Sequence, residues 1–105
     1  MVSGATVDWR LTEPGRQLDA NLVRLPPRHH IDPHVEPALD VVLVVVEGAG
    51  AAHADSTEHV LRPGAVVWLP RGSRRSVQAG PDGLAYVTLH QRRPGMWITA
   101  PPAQA

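Results

Sequence analysis

Val41-Val42-Leu43-Val44-Val45-Val46, running into Glu47-Gly48-Ala49-Gly50, is the stretch whose reading decides the fold. Its residues are almost all β-branched, which favours a strand over a helix. Both faces are apolar. A strand wet on one side would alternate, so this one is expected to be covered on both. Glu47 to Gly50 then reads as a turn. Ala51 to Arg62 follows as a polar hairpin reversing at Asp55-Ser56-Thr57, with His53 and His59 as surface residues. Arg62-Pro63-Gly64 turns the chain into a second continuous apolar strand, Ala65 to Leu69, which ends at Leu69-Pro70-Arg71-Gly72. Strands separated by Gly and Pro-Gly turns at this spacing suit an antiparallel β architecture.

On either side of this centre the same grammar continues. Thr6 to Leu11 alternates, with Val7, Trp9 and Leu11 on the side expected to be buried, and Glu13-Pro14-Gly15 turns it. Gln17 to Leu25 alternates less regularly and is stopped by Pro26-Pro27, since proline has no N–H for a ladder. Arg28 to Pro37 gathers Arg28, His29, His30, Asp32, His34 and Glu36, and its prolines hold it extended. Ser73 to Gln78 is a third, more polar strand, and Gly80-Pro81-Asp82-Gly83 is a strong turn signal. Leu84 to Gln91 places Leu84, Tyr86, Thr88 and His90 on one face. Met96 to Ile98 offers a short edge strand before an Ala/Pro-rich tail. Residues 1–105 thus read as one all-β domain with a core over about 6–98, a flexible tail at 99–105 and no amphipathic helix.

Composition narrows the function classes. The 105 residues contain no Cys, which removes disulfides, thiolate metal sites and thiol nucleophiles, and suits a reducing cytoplasm. The formal charge is zero and every basic residue is Arg or His, so no basic run marks a nucleic-acid or acidic-membrane surface. No apolar run is long enough to span a bilayer, and no segment has the make-up of a signal peptide.

With these residues in place, the chain resembles the cupin superfamily. These are small double-stranded β-helix, or RmlC-like jelly-roll, barrels with two motifs. The first is a Gly, five residues, His-x-His, three or four residues, Glu, six residues, Gly. The second is a Gly, five residues, Pro-x-Gly, two residues, His, three residues, Asn. The resemblance covers roughly residues 18–91. His34 stands at the first His and Gly48 at the closing Gly, while Gly64, Pro70 and Gly72 match the second motif. Arg28 replaces the opening Gly, Glu36 the second His, Val41 the Glu, Arg75 the last His and Ala79 the Asn. The matches are turn residues and the departures fall mainly on metal ligands.

The resemblance therefore implies the barrel but not its usual metal. Val41 cannot ligate, and Arg75 brings a permanent positive charge to the place a cation would take. A divalent metal would need His34 and Glu36 with Asp40 or His90 recruited, Asp40 through a bulge. No cofactor is favoured on this reading. The barrel mouth instead resembles a pocket for a small polar or anionic molecule, with His34, Glu36 and Arg75 as polar contacts and Trp68, Tyr86 and His90 as a ring wall. Arg75 suits a carboxylate or phosphate through its planar fork, and an internal pair with Glu36 is the bland alternative. A metal-dependent isomerase or dioxygenase with a remodelled ligand set is the rival reading, and a structural or regulatory module the third. The residues admit both binding and turnover. The two continuous apolar strands imply a homodimer, because a two-layer barrel buries only one face of each sheet.

Overall fold

The computed structural model describes residues 4–92 and consists of strands without helices there. They are β1 (Thr6–Arg10), β2 (Leu18–Leu25), β3 (His30–Val35), β4 (Val41–Ala54), β5 (Thr57–Leu61), β6 (Val66–Leu69) and β7 (Arg74–Gln91). The predicted edge strand at Met96 to Ile98 and the tail lie outside the described residues.

All pairing is antiparallel, and β4 and β7 are its spine. The first part of β4 and the last part of β7 pair from Val41↔His90 to Gly48↔Leu84. With β2, β1 and β6 they form a layer in the order β1-β2-β7-β4-β6. The same two strands pair again from Gly50↔Ala79 to Ala54↔Arg75, now flanked by β3 and β5. Inward residues of both layers, among them Val23, Leu43 and Tyr86 from one and Ile31, Ala52, Leu61 and Val77 from the other, form one buried cluster. The layers therefore face each other across a shared core, and the all-β jelly-roll expectation holds.

Two predicted turns are not reversals. Glu47 to Gly50 lies inside β4, and Gly80 to Gly83 lies inside β7 as an excursion between two paired stretches. Gly and Pro mark bulges as strongly as turns, and here they bend two paired strands from one layer into the other. The backbones come so close that a Cβ on Gly48 would collide with the carbonyl oxygen of Gly83, and one on Gly50 with that of Gln78.

The matched motif positions have a backbone reason. Gly48, Gly64 and Gly72 all adopt positive φ, at 81°, 88° and 81°. Arg28 stands where the motif opens with Gly, and it too is left-handed, with φ 64°. Its N–H donates to Gly80 O at 2.9 Å and its own carbonyl accepts from Gln78 Nε2, so the surroundings impose the conformation on a residue with a Cβ.

Outward faces differ from expectation in one respect. Val42 and Val44 are only half-buried, and Val46 and Val66 are exposed, so among the described residues β4 and β6 are covered on their inner side alone. Trp9 also faces out, because a bulge between Val7 and Trp9 pairs Val7 with buried Val23 but Trp9 with outward Leu22.

Opposite effects are expected at two left-handed positions. Gly48→Ala should destabilise by at least about 2 kcal/mol, from strain plus collision. Arg28→Gly should stabilise by about 1 kcal/mol through relief of the left-handed penalty. Urea unfolding midpoints with unchanged slopes would check both.

Candidate functional site

One end of the barrel is closed by the β4–β7 corner. At the other, the register brings His34, Arg75 and Ala54 of one layer to the mouth, with Val41, Leu69 and His90 of the other. Arg75 is the group that sets this end apart. It lies at an inward position of β7, alternating with Val77 and Ala79, and is fully buried. Its Nη2 donates to Pro70 O at 2.8 Å, which ties the start of β7 to the end of β6. Its Nε and Nη1 are sealed from solvent and have no hydrogen-bond partner among the described residues.

The Pro70-to-Ser73 turn holds that guanidinium. Pro70 O also accepts from Ser73 Oγ at 2.6 Å and Ser73 N at 3.2 Å, and Gly72 N donates to Glu36 O at 2.8 Å. The Pro-x-Gly signal in the sequence thus marks a turn whose carbonyl orients Arg75. Burial lowers the Arg75 pKa, while the charges of Glu36, Asp40 and Asp55 act to raise it. No carboxylate among the described residues forms an ion pair with it. A buried cation held by one carbonyl is short of partners.

The other expected contacts divide. His34 pairs with Arg75 across β3 and β7, so the two side chains share the inner face. It is half-buried, and its Nδ1 lies 3.0 Å from Asp32 O. A carbonyl only accepts, so that ring nitrogen carries the proton. Tyr86 is fully buried deeper in the same interior, and its hydroxyl has no partner among the described residues. Burial pushes its pKa up, so the phenol stays neutral. His90 sits at the rim on the face of buried Val41, with Nδ1 3.0 Å from Gln91 O. Glu36 does not pair with Arg75. Its Oε2 accepts from Ala38 N at 2.7 Å and Leu39 N at 3.2 Å, capping a local turn.

Trp68 is a correction. It is 61% exposed on the outer face opposite Val42, and the inward residues of β6 are Val67 and Leu69. Asp40 does not turn inward through a bulge either. It is exposed, and its Oδ1 accepts from Arg71 N at 2.8 Å. Among the described residues no three His, Asp or Glu side chains are placed to hold a metal, so His34, Glu36, Asp40 and His90 form no ligand set. With Val41 in the core and Arg75 at a ligand position, these residues do not fit the metal of the family motif.

Sequence reasoning missed two inward polar groups, His59 and Asn21. His59 is half-buried opposite fully buried Ala52, whose other neighbour is Val77, so it faces the barrel interior and not the surface. Asn21 and Thr88 are buried opposite each other, with Nδ2 3.5 Å from Oγ1. Asn21 was legible in principle, as a polar residue in step with Val23 and Leu25. A surface concavity of about 360 Å³ lies elsewhere, at the closed corner, where Arg24, Pro26, Pro27, Glu47 and Leu84 line it. Of its charged lining residues, Arg24 and Glu47 pair with each other at 3.5 Å, and Asp82 is the third. The concavity and the unpaired polar groups do not coincide, and the chemistry lies with the latter.

Residues 24–97 match the family model of the AraC-like ligand binding domain. The chain belongs to that family. It is a cupin-superfamily jelly-roll protein and a cupin-fold ligand-binding domain. Among solved structures it is similar to a cupin-2 domain of Rhodospirillum rubrum, with a TM-score of 0.81 at 14% identity, over 88% of this chain and 62% of that one. KdgF of Halomonas sp. gives 0.77 at 21% identity, over 90% and 84%. A sugar phosphate isomerase of the cupin superfamily from Silicibacter pomeroyi gives 0.74 at 27% identity, over 87% and 61%. The chain thus spans less than two thirds of the first and third of these. No protein of curated function matches the sequence. No helix among the described residues is long and apolar enough to cross a membrane.

Tyr86→Phe is expected to stabilise the ligand-free domain by about 1 kcal/mol, since it removes a buried hydroxyl that makes no bond within the protein. Chemical denaturation of the two proteins, compared at equal slope, measures this.

Proposed function

We propose that this cupin-fold domain binds a small anionic molecule inside the barrel mouth, without a metal, through Arg75. The observation that carries the reading is the buried guanidinium whose Nε and Nη1 have no partner within the described protein. With one Nη2 hydrogen given to Pro70 O, one edge of the fork stays available for a bidentate carboxylate or phosphate. His34, next to Arg75 on the inner face, and His90 at the rim supply further polar contacts, and Tyr86 and His59 line the interior below. The likeness at 27% identity to a protein described as a sugar phosphate isomerase supports an anionic ligand class. Because the open edge is sealed in the free protein, ligand entry requires rim side chains to move aside.

Binding is the function this argues for. The metal-dependent isomerase or dioxygenase reading rests on likeness alone.

Arg75→Ala should weaken binding of a phosphate- or carboxylate-bearing ligand by about 1.5–3 kcal/mol, ten- to a hundred-fold or more, with Arg74→Ala as the outward-facing control. Calorimetric titration with inorganic phosphate and simple sugar phosphates is the measurement. Equal, negligible effects of the two substitutions would sink the reading.

For the metal, protein purified without added ions is expected to carry well under one equivalent of Fe, Mn, Ni, Cu or Zn by elemental analysis. Stoichiometric metal that survives dialysis and is lost in His34→Ala would promote the enzyme reading instead.

A further inference from the structure

On the inner face of the β1-β2-β7-β4-β6 layer, polar side chains gather at one flank of the mouth. Asp19 lies opposite His90 and Asn21 opposite Thr88, so β2 and β7 bring four of them into one block. Val41 and Leu43 border the block on β4, and Val23 and Tyr86 lie beneath it.

Such a block is costly in a small core. Asn21 is 7% exposed and Thr88 2%. Their mutual bond, Asn21 Nδ2 to Thr88 Oγ1, is 3.5 Å long, at the limit for a hydrogen bond. It uses one hydrogen of the amide. The amide oxygen and the Thr88 hydroxyl hydrogen have no partner among the described residues. A leucine and a valine would fill the same space without needing a bond. Nearer the rim, Asp19 takes Arg16 on Oδ1 at 3.1 Å. His90 has Nδ1 against Gln91 O, which leaves Nε2 as an acceptor.

Position ties the block to Arg75. In both layers β7 has β4 on one side; on the other it has β2 in this layer and β3 in the opposite one. The block and the Arg75–His34 pair therefore stand on the same flank of the mouth, on the inner faces of opposite layers.

We propose that the molecule held by Arg75 carries hydroxyl groups beside its anionic group, and that Asn21 and Thr88, with Asp19 and His90 above them, select it for those hydroxyls. The inference rests on Arg75 as the anion contact. The two sides of the mouth ask for different ends of one molecule. A carboxylate or phosphate only accepts, which suits the guanidinium. The block is rich in acceptors, namely Asn21 Oδ1, Asp19 Oδ2 and His90 Nε2, and has the Thr88 hydroxyl as donor. A hydroxyl both gives and takes a hydrogen bond, so it serves Asn21 and Thr88 together. An apolar tail would strip them of water and return nothing. Packed sheets lie about 10 Å apart, so what bridges them is short: a hydroxy acid of a few carbons or the matching polyol phosphate.

The test is calorimetric titration of the full chain with D-glycerate against propionate, and with glycerol 3-phosphate against propyl phosphate. The proteins are the unaltered chain, Arg75→Ala, Thr88→Val, and the double variant Asn21→Leu with Thr88→Val, which removes both partners and so leaves neither unsatisfied. The arm that binds more tightly shows which anionic group Arg75 takes. In that arm the hydroxylated ligand is expected to bind at least about 10-fold tighter than its unhydroxylated counterpart, as two hydrogen bonds supply. The double variant should bring the ratio close to one. Arg75→Ala should weaken both ligands alike. Circular dichroism confirms folding, and Thr88→Val alone serves if the double variant does not fold. Equal affinities in the unaltered chain, with Arg75→Ala still weakening both, would overturn this proposal and leave the anion contact standing. A preference that survives the double substitution would overturn it too. No effect of Arg75→Ala on any ligand would remove the anion contact and this inference with it.

Discussion

β4 and β7 stay hydrogen-bonded to each other while both cross from one layer to the other, and everything else in the molecule hangs on that pair. Each layer is their shared segment plus the neighbours that the segment can recruit: β2 and β6 on one side of the corner, β3 and β5 on the other. The corner works only because the two backbones come closer than side chains permit. Gly48 and Gly50 face the carbonyls of Gly83 and Gln78 with nothing in between. That closure makes the opposite end the mouth, and the mouth is where the chain places the fully buried guanidinium of Arg75.

Arg75 shows how a stability cost and a function can share a residue. An apolar side chain at this inward position would pack against Val77 and Ala54 without needing hydrogen bonds. The chain instead buries a cation and supplies a single carbonyl for it, from a turn whose Pro70 oxygen already serves Ser73. Polar groups left short of partners in a small core lower stability by a sizeable fraction of the whole. A residue that the fold does not need and stability disfavours is the natural place to look for a ligand contact.

What was legible in the sequence follows from what periodicity can encode. Strict alternation puts Leu84, Tyr86, Thr88 and His90 on one face, and the pairing with β2 and β4 makes that face the inner one. Gly48, Gly64 and Gly72 announced left-handed positions, and each is left-handed. Trp68 was misplaced because Ala65 to Leu69 is apolar throughout. In such a run a one-residue shift exchanges the faces and nothing in the pattern objects. The partner strand settles it, since Leu43↔Val67 and Val41↔Leu69 point inward together. Asp40 and Glu36 looked like ligands because residue type was visible and backbone geometry was not. Each carboxylate is taken by backbone N–H groups that no pattern displays. His59 was hidden by hairpin composition, whose polar neighbours suggested solvent on both sides.

The pairing of β4 with β7 also has a consequence in time. Val41 meets His90, and Ala54 meets Arg75, so the central ladder joins residues far apart in the chain. Loop closure must precede any gain from those contacts, which places the domain among slow-folding, high-contact-order β proteins. On the ribosome the disparity is larger. β4 finds its local partners β5 and β6 as soon as they emerge, but its other edge stays unpaired until Gln91 has been made and released. Until then Val41 to Val46 is an open, apolar strand edge, the part of this chain most exposed to mispairing with another nascent copy.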